Sequence, residues 1–289
     1  ANRSSNNLWV VGNEGFELVL QLGSDDLLRI SGIISRTGTE QDWTPSSPPP
    51  FGPVLVIEGE RSELSFEGVD IGGDGCDLIV TYRSPVGLQV SHVIRPSSRT
   101  AAFRTWTTLT NDSNHDVERI SRFDALNLGM GVTKAEPLAT YLTGWLDGPR
   151  IDAPGRPPAS FAYSSWISPL LYGEDTQTTA PDLPGGWHAS NLRLVEGERL
   201  SLLPLRSGKR STFDNFPWVC VRDPLRQAGL FAGFEWSGMW KMDIEHHDAD
   251  HEVSLFACTD GNVHTLSAGA SITSPPAFVG FFSGEWDDA

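Results

Sequence analysis

Residues 87–130 read GLQVSHVIRPSSRTAAFRTWTTLTNDSNHDVERISRFDALNLGM, and a period of two runs through them. Leu88, Val90, His92 and Ile94 share one parity, with Gln89, Ser91 and Val93 on the other. Side chains of a strand alternate between faces, so this is the pattern of a half-buried strand. Residues 103–110 (FRTWTTLT) are aromatic and β-branched, which suits a pleated surface better than a helix. Asn111, Asp112, Ser113 and Asn114 then form a turn cluster. The same grammar repeats outward from this stretch. Phe16, Leu18 and Leu20 alternate with Glu17, Val19 and Gln21, and further turn clusters stand at residues 72–75, 184–186 and 260–262. No segment carries a sustained 3.6-residue apolar stripe behind a helix cap. The fold class is therefore all-β, with many short antiparallel strands in a sandwich or barrel.

A chain of 289 residues is long enough for one large core. Ten Trp and 14 Phe supply bulky apolar surface, which excludes a disordered polymer. A net charge of −16 excludes nucleic acid and anionic membranes as partners, because both need clustered Lys and Arg. No apolar run approaches the length of a membrane span, and the polar start ANRSSNN does not read as a signal peptide. The compartment stays open, with the cytoplasm slightly favoured. Cys76, Cys220 and Cys258 cannot all pair within the chain; Cys220 and Cys258 sit in apolar runs and read as buried thiols, with one disulfide between them left open. Residues 44–53 (TPSSPPPFGP) hold five prolines and must form an extended or rigid loop. Residues 147–158 and 173–186 are two more long connections, and such loops are where recognition usually sits.

Three local patterns invite chemistry. Residues 243–252 (DIEHHDADHE) gather His246, His247 and His251 among five carboxylates, all types that ligate metals. Alternation nonetheless runs through Trp240, Met242 and Ile244 and resumes at Val253, so the segment reads as a hairpin turning at residues 248–250. Adjacent histidines in a strand point to opposite faces, so no metal site is expected. Carboxylate pairs abound among 37 acidic residues and select nothing by themselves. Neither a G-x-S-x-G elbow nor a phosphate-binding loop occurs. Sugars stack on Trp and Tyr faces, which makes Trp43, Trp145, Trp166 and Trp187 candidates, whereas Trp236 and Trp240 read as core or sheet-packing residues.

Taken in order, several blocks resemble one family. These are residues 87–130, YLTGWLDGPRI (141–151), RSGKRSTFDNFPWVCVRD (206–223), GLFAGFEWSGMWKM (229–242) and the run AGASITSPPAFVGFFSGEWDDA (268–289). Their succession resembles the non-catalytic N-terminal domain of glycoside hydrolase family 36, the α-galactosidase family. The resemblance implies one domain spanning residues 1–289, an antiparallel β-supersandwich similar to galactose mutarotase. It places both catalytic carboxylates in a (β/α)8 barrel beyond residue 289, so no catalytic residue is assigned to this chain. It implies a barrel from the same parent chain as partner, a carbohydrate substrate, homo-oligomers, and no metal or organic cofactor. Substrate contacts fall to Trp43, Asp214 and Asn215, with Trp43 held outward on its proline loop. Residues 211–217 (STFDNFP) depart from the small residues with His and Asn of the family; only Arg210, Ser211 and the Asn-Phe-Pro portion follow it. Two other classes stay open: a free-standing carbohydrate-binding module, or a mutarotase-like epimerase using a His and a Glu from among His92, His188 and Glu235.

Overall fold

A computed structural model describes residues 2–4, 7–72, 75–133, 136–143, 150–152, 188–204, 215–247, 251–286 and 289. Among them every regular element is a strand, and every strand pairing is antiparallel. The N-terminal five strands form one small sheet in chain order: β1 (Asn2–Ser4), β2 (Leu8–Asn13), β3 (Phe16–Leu22), β4 (Leu28–Ser35) and β5 (Gln41–Asp42).

Two larger sheets follow. The ten-stranded sheet runs β15 (His188–Arg193), β13 (Leu138–Thr143), β17 (Asn215–Asp223), β18 (Ala228–Phe234), β23 (Ala277–Ser283), β11 (Ala102–Asn111), β10 (Leu88–Pro96), β9 (Asp77–Arg83) and β8 (Ser65–Gly72). Its tenth strand, β22 (Ser271–Thr273), pairs with β11. The eight-stranded sheet runs β14 (Arg150–Asp152), β16 (Arg199–Leu202), β19 (Trp240–His247), β20 (Glu252–Thr259), β12 (Val117–Gly131), β6 (Leu55–Ile57) and β7 (Glu60–Arg61). Its remaining strand, β21 (His264–Leu266), pairs with β12.

The stretch that decided the fold class folds as its alternation requires. Leu88, Val90, His92 and Ile94 of β10 are buried, while Gln89 and Ser91 are half-exposed; Val93, on the same parity as these two, is buried as well. The paired strand β11 buries Phe103, Thr105, Thr107 and Leu109 on the same side, in the register His92 opposite Thr107. The two large sheets pack face to face: Thr107 Oγ1 of β11 donates to the Asp124 carbonyl of β12 at 2.5 Å. Val219, Val221, Leu230 and Val279 from one sheet join Leu128, Trp240, Ile244 and Leu255 from the other in a single continuous core. The small sheet covers part of the same inner surface. Its Phe16 ring lies 5.4 Å from Phe103 and 5.8 Å from Phe281. The architecture is thus an all-β sandwich built from large antiparallel sheets, as the sequence pattern predicts.

Candidate functional site

The loop expected to present Trp43 outward does the opposite with that residue. Trp43 is fully buried and belongs to the core. Its backbone amide donates to the Ile33 carbonyl at 2.7 Å, and its own carbonyl accepts the Gly131 amide at 2.7 Å. Thr44 Oγ1 accepts the Ile33 amide at 3.0 Å. The start of the proline loop is therefore tied to β4 on one side and to the end of β12 on the other. The prolines stiffen the loop only after this clamp, and the indole fills the seam that the clamp creates. The expectation of an exposed Trp43 is corrected accordingly.

Asn215, at the start of β17, is also fully buried. Its Nδ2 donates to the Leu203 carbonyl at 2.7 Å, and its Oδ1 has no partner among the described residues. Asp214, Trp145, Trp166 and Trp187 lie outside the described residues. Trp240 is a core residue, as anticipated, whereas Trp236 is 39% exposed. Cys220 and Cys258 are buried free thiols on different sheets. Burial pushes the Cys258 thiol up to about 12 and the Cys220 thiol higher still, so neither is a nucleophile at neutral pH.

The acid–base pair required of an epimerase is not assembled from His92 and Glu235. His92 is buried on the inner face of β10, with Nδ1 and Nε2 at 2.9 Å and 3.0 Å from the hydroxyls of Thr107 and Thr105. Burial depresses its pKa to about 4. Glu235 is ion-paired with Arg104 at 2.8 Å. Arg104 alternates with Thr105 along β11 and so projects from the opposite face of the sheet. The His188 side chain lies outside the described residues.

A dense polar constellation among the described residues lies on the outer face of the eight-stranded sheet. On β19, Trp240, Met242 and Ile244 enter the core, so Lys241, Asp243 and Glu245 project the other way. On β16, Leu200 and Leu202 are core residues, and Arg199 and Ser201 project outward beside them. The registers place Arg199 opposite Glu245, Ser201 opposite Asp243, Asp243 opposite Phe256, and Asp124 opposite Cys258. One patch therefore spans β16, β19, β20 and β12.

Inside the patch the charges interlock. Asp243 accepts Arg199 Nη2 at 2.5 Å and Ser201 Oγ at 2.5 Å, with Lys241 Nζ 3.2 Å away. Arg199 Nη1 also reaches Glu245 at 3.0 Å. Asp124 receives Arg122 in a two-point grip, Nε at 2.6 Å and Nη2 at 3.0 Å. The Arg122 guanidinium stands 5.6 Å from the Phe256 ring centroid. Burial alone would raise Asp243, yet the hydrogen bonds from Arg199 and Ser201 and the nearby cations hold its carboxyl below the usual range. At Asp124 burial wins over Arg122, and the carboxyl rises to about 6. Arg122, Arg199, Lys241 and Glu245 remain a quarter to a third exposed, leaving donors and acceptors for a polar neighbour. The sequence signal for this patch is the alternation of KMDIE and RLSL, which puts their polar members on one parity.

Comparisons place the fold. No protein-family model matches the chain, and no curated protein matches it in sequence. Solved structures do match. The α-galactosidase of Lactobacillus brevis superposes with a TM-score of 0.64 at 12% identity, over 98% of this chain and 40% of its own. A family 36 α-galactosidase of Geobacillus stearothermophilus gives 0.63 at 10% identity, over 98% of this chain and 41% of its own. A galactose mutarotase-like protein of Lactobacillus casei gives 0.55 at 12% identity, over 95% of this chain and 99% of its own. The chain therefore spans about two fifths of the α-galactosidases it matches, and it has the β-sandwich fold that those enzymes share, over that part of their length, with a galactose mutarotase-like protein.

Proposed function

We propose that residues 1–289 form one domain, the non-catalytic N-terminal domain of an α-galactosidase-like retaining glycoside hydrolase. In this reading the domain packs on a (β/α)8 barrel of the same parent protein and shapes one wall of its active site. The observation that carries it is the coverage of the matches: almost all of this chain against about 40% of each α-galactosidase. The succession of sequence blocks over the whole chain supports the same assignment. Both carboxylates for retaining hydrolysis belong to the barrel, one as nucleophile and one as acid/base. Asn215, whose buried Oδ1 has no partner among the described residues, and the neighbouring Asp214 are the residues of this domain assigned to substrate. Trp43 serves from inside the fold, anchoring the proline loop.

The test compares the isolated chain with a version extended by the residues that follow it in its parent gene, on an aryl α-galactoside. The expected result is turnover by the extended protein only, reduced by Asn215→Ala. Turnover by the isolated chain that survives purification defeats the proposal. A second reading, a mutarotase-like epimerase, is favoured by the near-complete coverage of the mutarotase-like chain. It predicts that the isolated chain accelerates anomer exchange of a free sugar, measured by polarimetry, and the sealed environment of His92 argues against that outcome.

A further inference from the structure

One edge of the sandwich is left open. A cavity of about 890 Å3 lies there between the turn joining β3 to β4, the proline loop at Pro50–Pro53, and residues 61–66 with Tyr82 of β9. That volume falls within the ~300–1,000 Å3 range of small-molecule sites. Its walls are fixed. The Tyr82 hydroxyl donates to the Phe51 carbonyl at 2.6 Å, and the Phe66 ring meets Tyr82 edge-on at 6.1 Å. Gly52 has a φ of 141°, and a Cβ there would sit 2.9 Å from the Tyr82 ring, so only glycine lets the loop close against β9.

The lining combines three chemistries. Phe66 is a half-buried aromatic surface. Asp26 and Glu63 offer carboxylate acceptors, and Arg61 offers donors; none of the three makes an ion pair among the described residues. Asp25, by contrast, is neutralised by Arg29 at 2.6 Å. Two free carboxylates and a chain charge of −16 disfavour an anion. Arg61 disfavours a cation, and the polar rim disfavours a purely apolar ligand.

We propose that this cavity binds a neutral oligosaccharide. Sugar C–H faces lie on Phe66, and hydroxyls donate to Asp26 and Glu63 while accepting from Arg61, using groups that form no ion pair among the described residues. The cavity is built from residues 25–82 alone, so the inference does not depend on a catalytic barrel or on Asn215.

The experiment follows leucine methyl resonances of the isolated, methyl-labelled chain during titration with maltotriose, cellobiose and melibiose. Saturable shifts at Leu27 and Leu64, which line the cavity, are the expected result. Arg61→Ala and Glu63→Gln should each weaken binding about tenfold, a loss of ~1.4 kcal/mol, with an unchanged unfolding midpoint. Asp26 has a φ of 58°, so its conservative variant is Asp26→Asn, which tolerates the left-handed conformation. Absence of saturable shifts with all three sugars, shifts undiminished in the variants, or a stronger response to spermidine would overturn the proposal.

Discussion

The Arg226 guanidinium carbon lies 4.5 Å from the centroid of the Trp43 ring, and that ring is fully buried. Arg226 Nη1 also donates to the Gly131 carbonyl at 3.0 Å, so one cation covers the indole and grips the strand end beneath it. Arg226 is itself held by Asp223, whose carboxylate accepts the Thr133 amide at 2.7 Å and the Thr133 hydroxyl at 2.8 Å. Trp43 therefore joins the small sheet to the sandwich. Trp43→Ala should cost about 3–5 kcal/mol in urea unfolding of the isolated chain, as for other buried tryptophans. A cost below ~1 kcal/mol would mean that the indole is free to leave its seam.

The same seam makes a glycine indispensable. A Cβ on Gly131 would lie 2.5 Å from the Thr44 carbonyl oxygen and 3.3 Å from the Pro45 Cα, both backbone atoms on the rigid side of the loop. Gly131→Ala should cost at least roughly 1–3 kcal/mol by overpacking. Gly68 on β8 has nothing within 4 Å of such a Cβ. Gly68→Ala should then change stability by no more than ~0.5 kcal/mol. Equal costs at the two positions would sink the argument.

Acid sensitivity should be traceable to His92. Its folded pKa, about 4, is depressed by burial below the ordinary 6.5. Between these values the unfolded chain takes up a proton that the folded chain refuses. The stability that His92 contributes is therefore complete above pH ~6.5 and is lost as pH drops toward ~4, by roughly 3 kcal/mol in all. Asp124 acts in the other direction: its folded pKa of about 6 exceeds the ordinary 3.8, so acidification through that window favours the folded state. His92→Gln should flatten the acid-side loss, and Asp124→Asn should steepen it. Denaturant midpoints at neutral pH and near pH ~4 decide; an unchanged acid-side slope in His92→Gln would show that another group carries the loss.

Period-two patterning was enough to make the fold class legible, because the core face of each strand needs nothing beyond alternation. Residues 87–111 show this, with β10 and β11 burying the parity that the sequence marks. Trp43 is not legible in the same way, because proline content reports stiffness and says nothing about which way the loop is tied. Its orientation is set by Ile33 and Gly131, contacts 10 and 88 positions away in the chain. The Arg122–Asp124 and Arg199–Asp243 pairs were illegible for a related reason. An alternating polar residue looks the same whether it meets water or a charge on the neighbouring strand, and only the register brings Ser201 beside Asp243.

The hairpin of β19 and β20 provides the sharpest test of face assignment. His246 is 4% exposed, with Nδ1 donating to the Leu194 carbonyl at 3.0 Å, whereas neighbouring His247 is exposed and contacts Ser254 Oγ through Nε2 at 2.9 Å. His251 turns to Glu196 instead, at 3.2 Å. The first two rings leave the strand on opposite sides, so they cannot ligate one ion without unpairing the strand. Calorimetry with zinc at neutral pH should show no stoichiometric site, and a micromolar or tighter site lost on His247→Ala would overturn this. Stability should separate the two histidines as well. His247→Ala removes a surface contact and should cost no more than ~0.5 kcal/mol. His246→Ala removes a buried ring and leaves the Leu194 carbonyl without its donor, for a cost of about 1–3 kcal/mol. Similar losses at both positions would mean that the two rings do not occupy opposite faces.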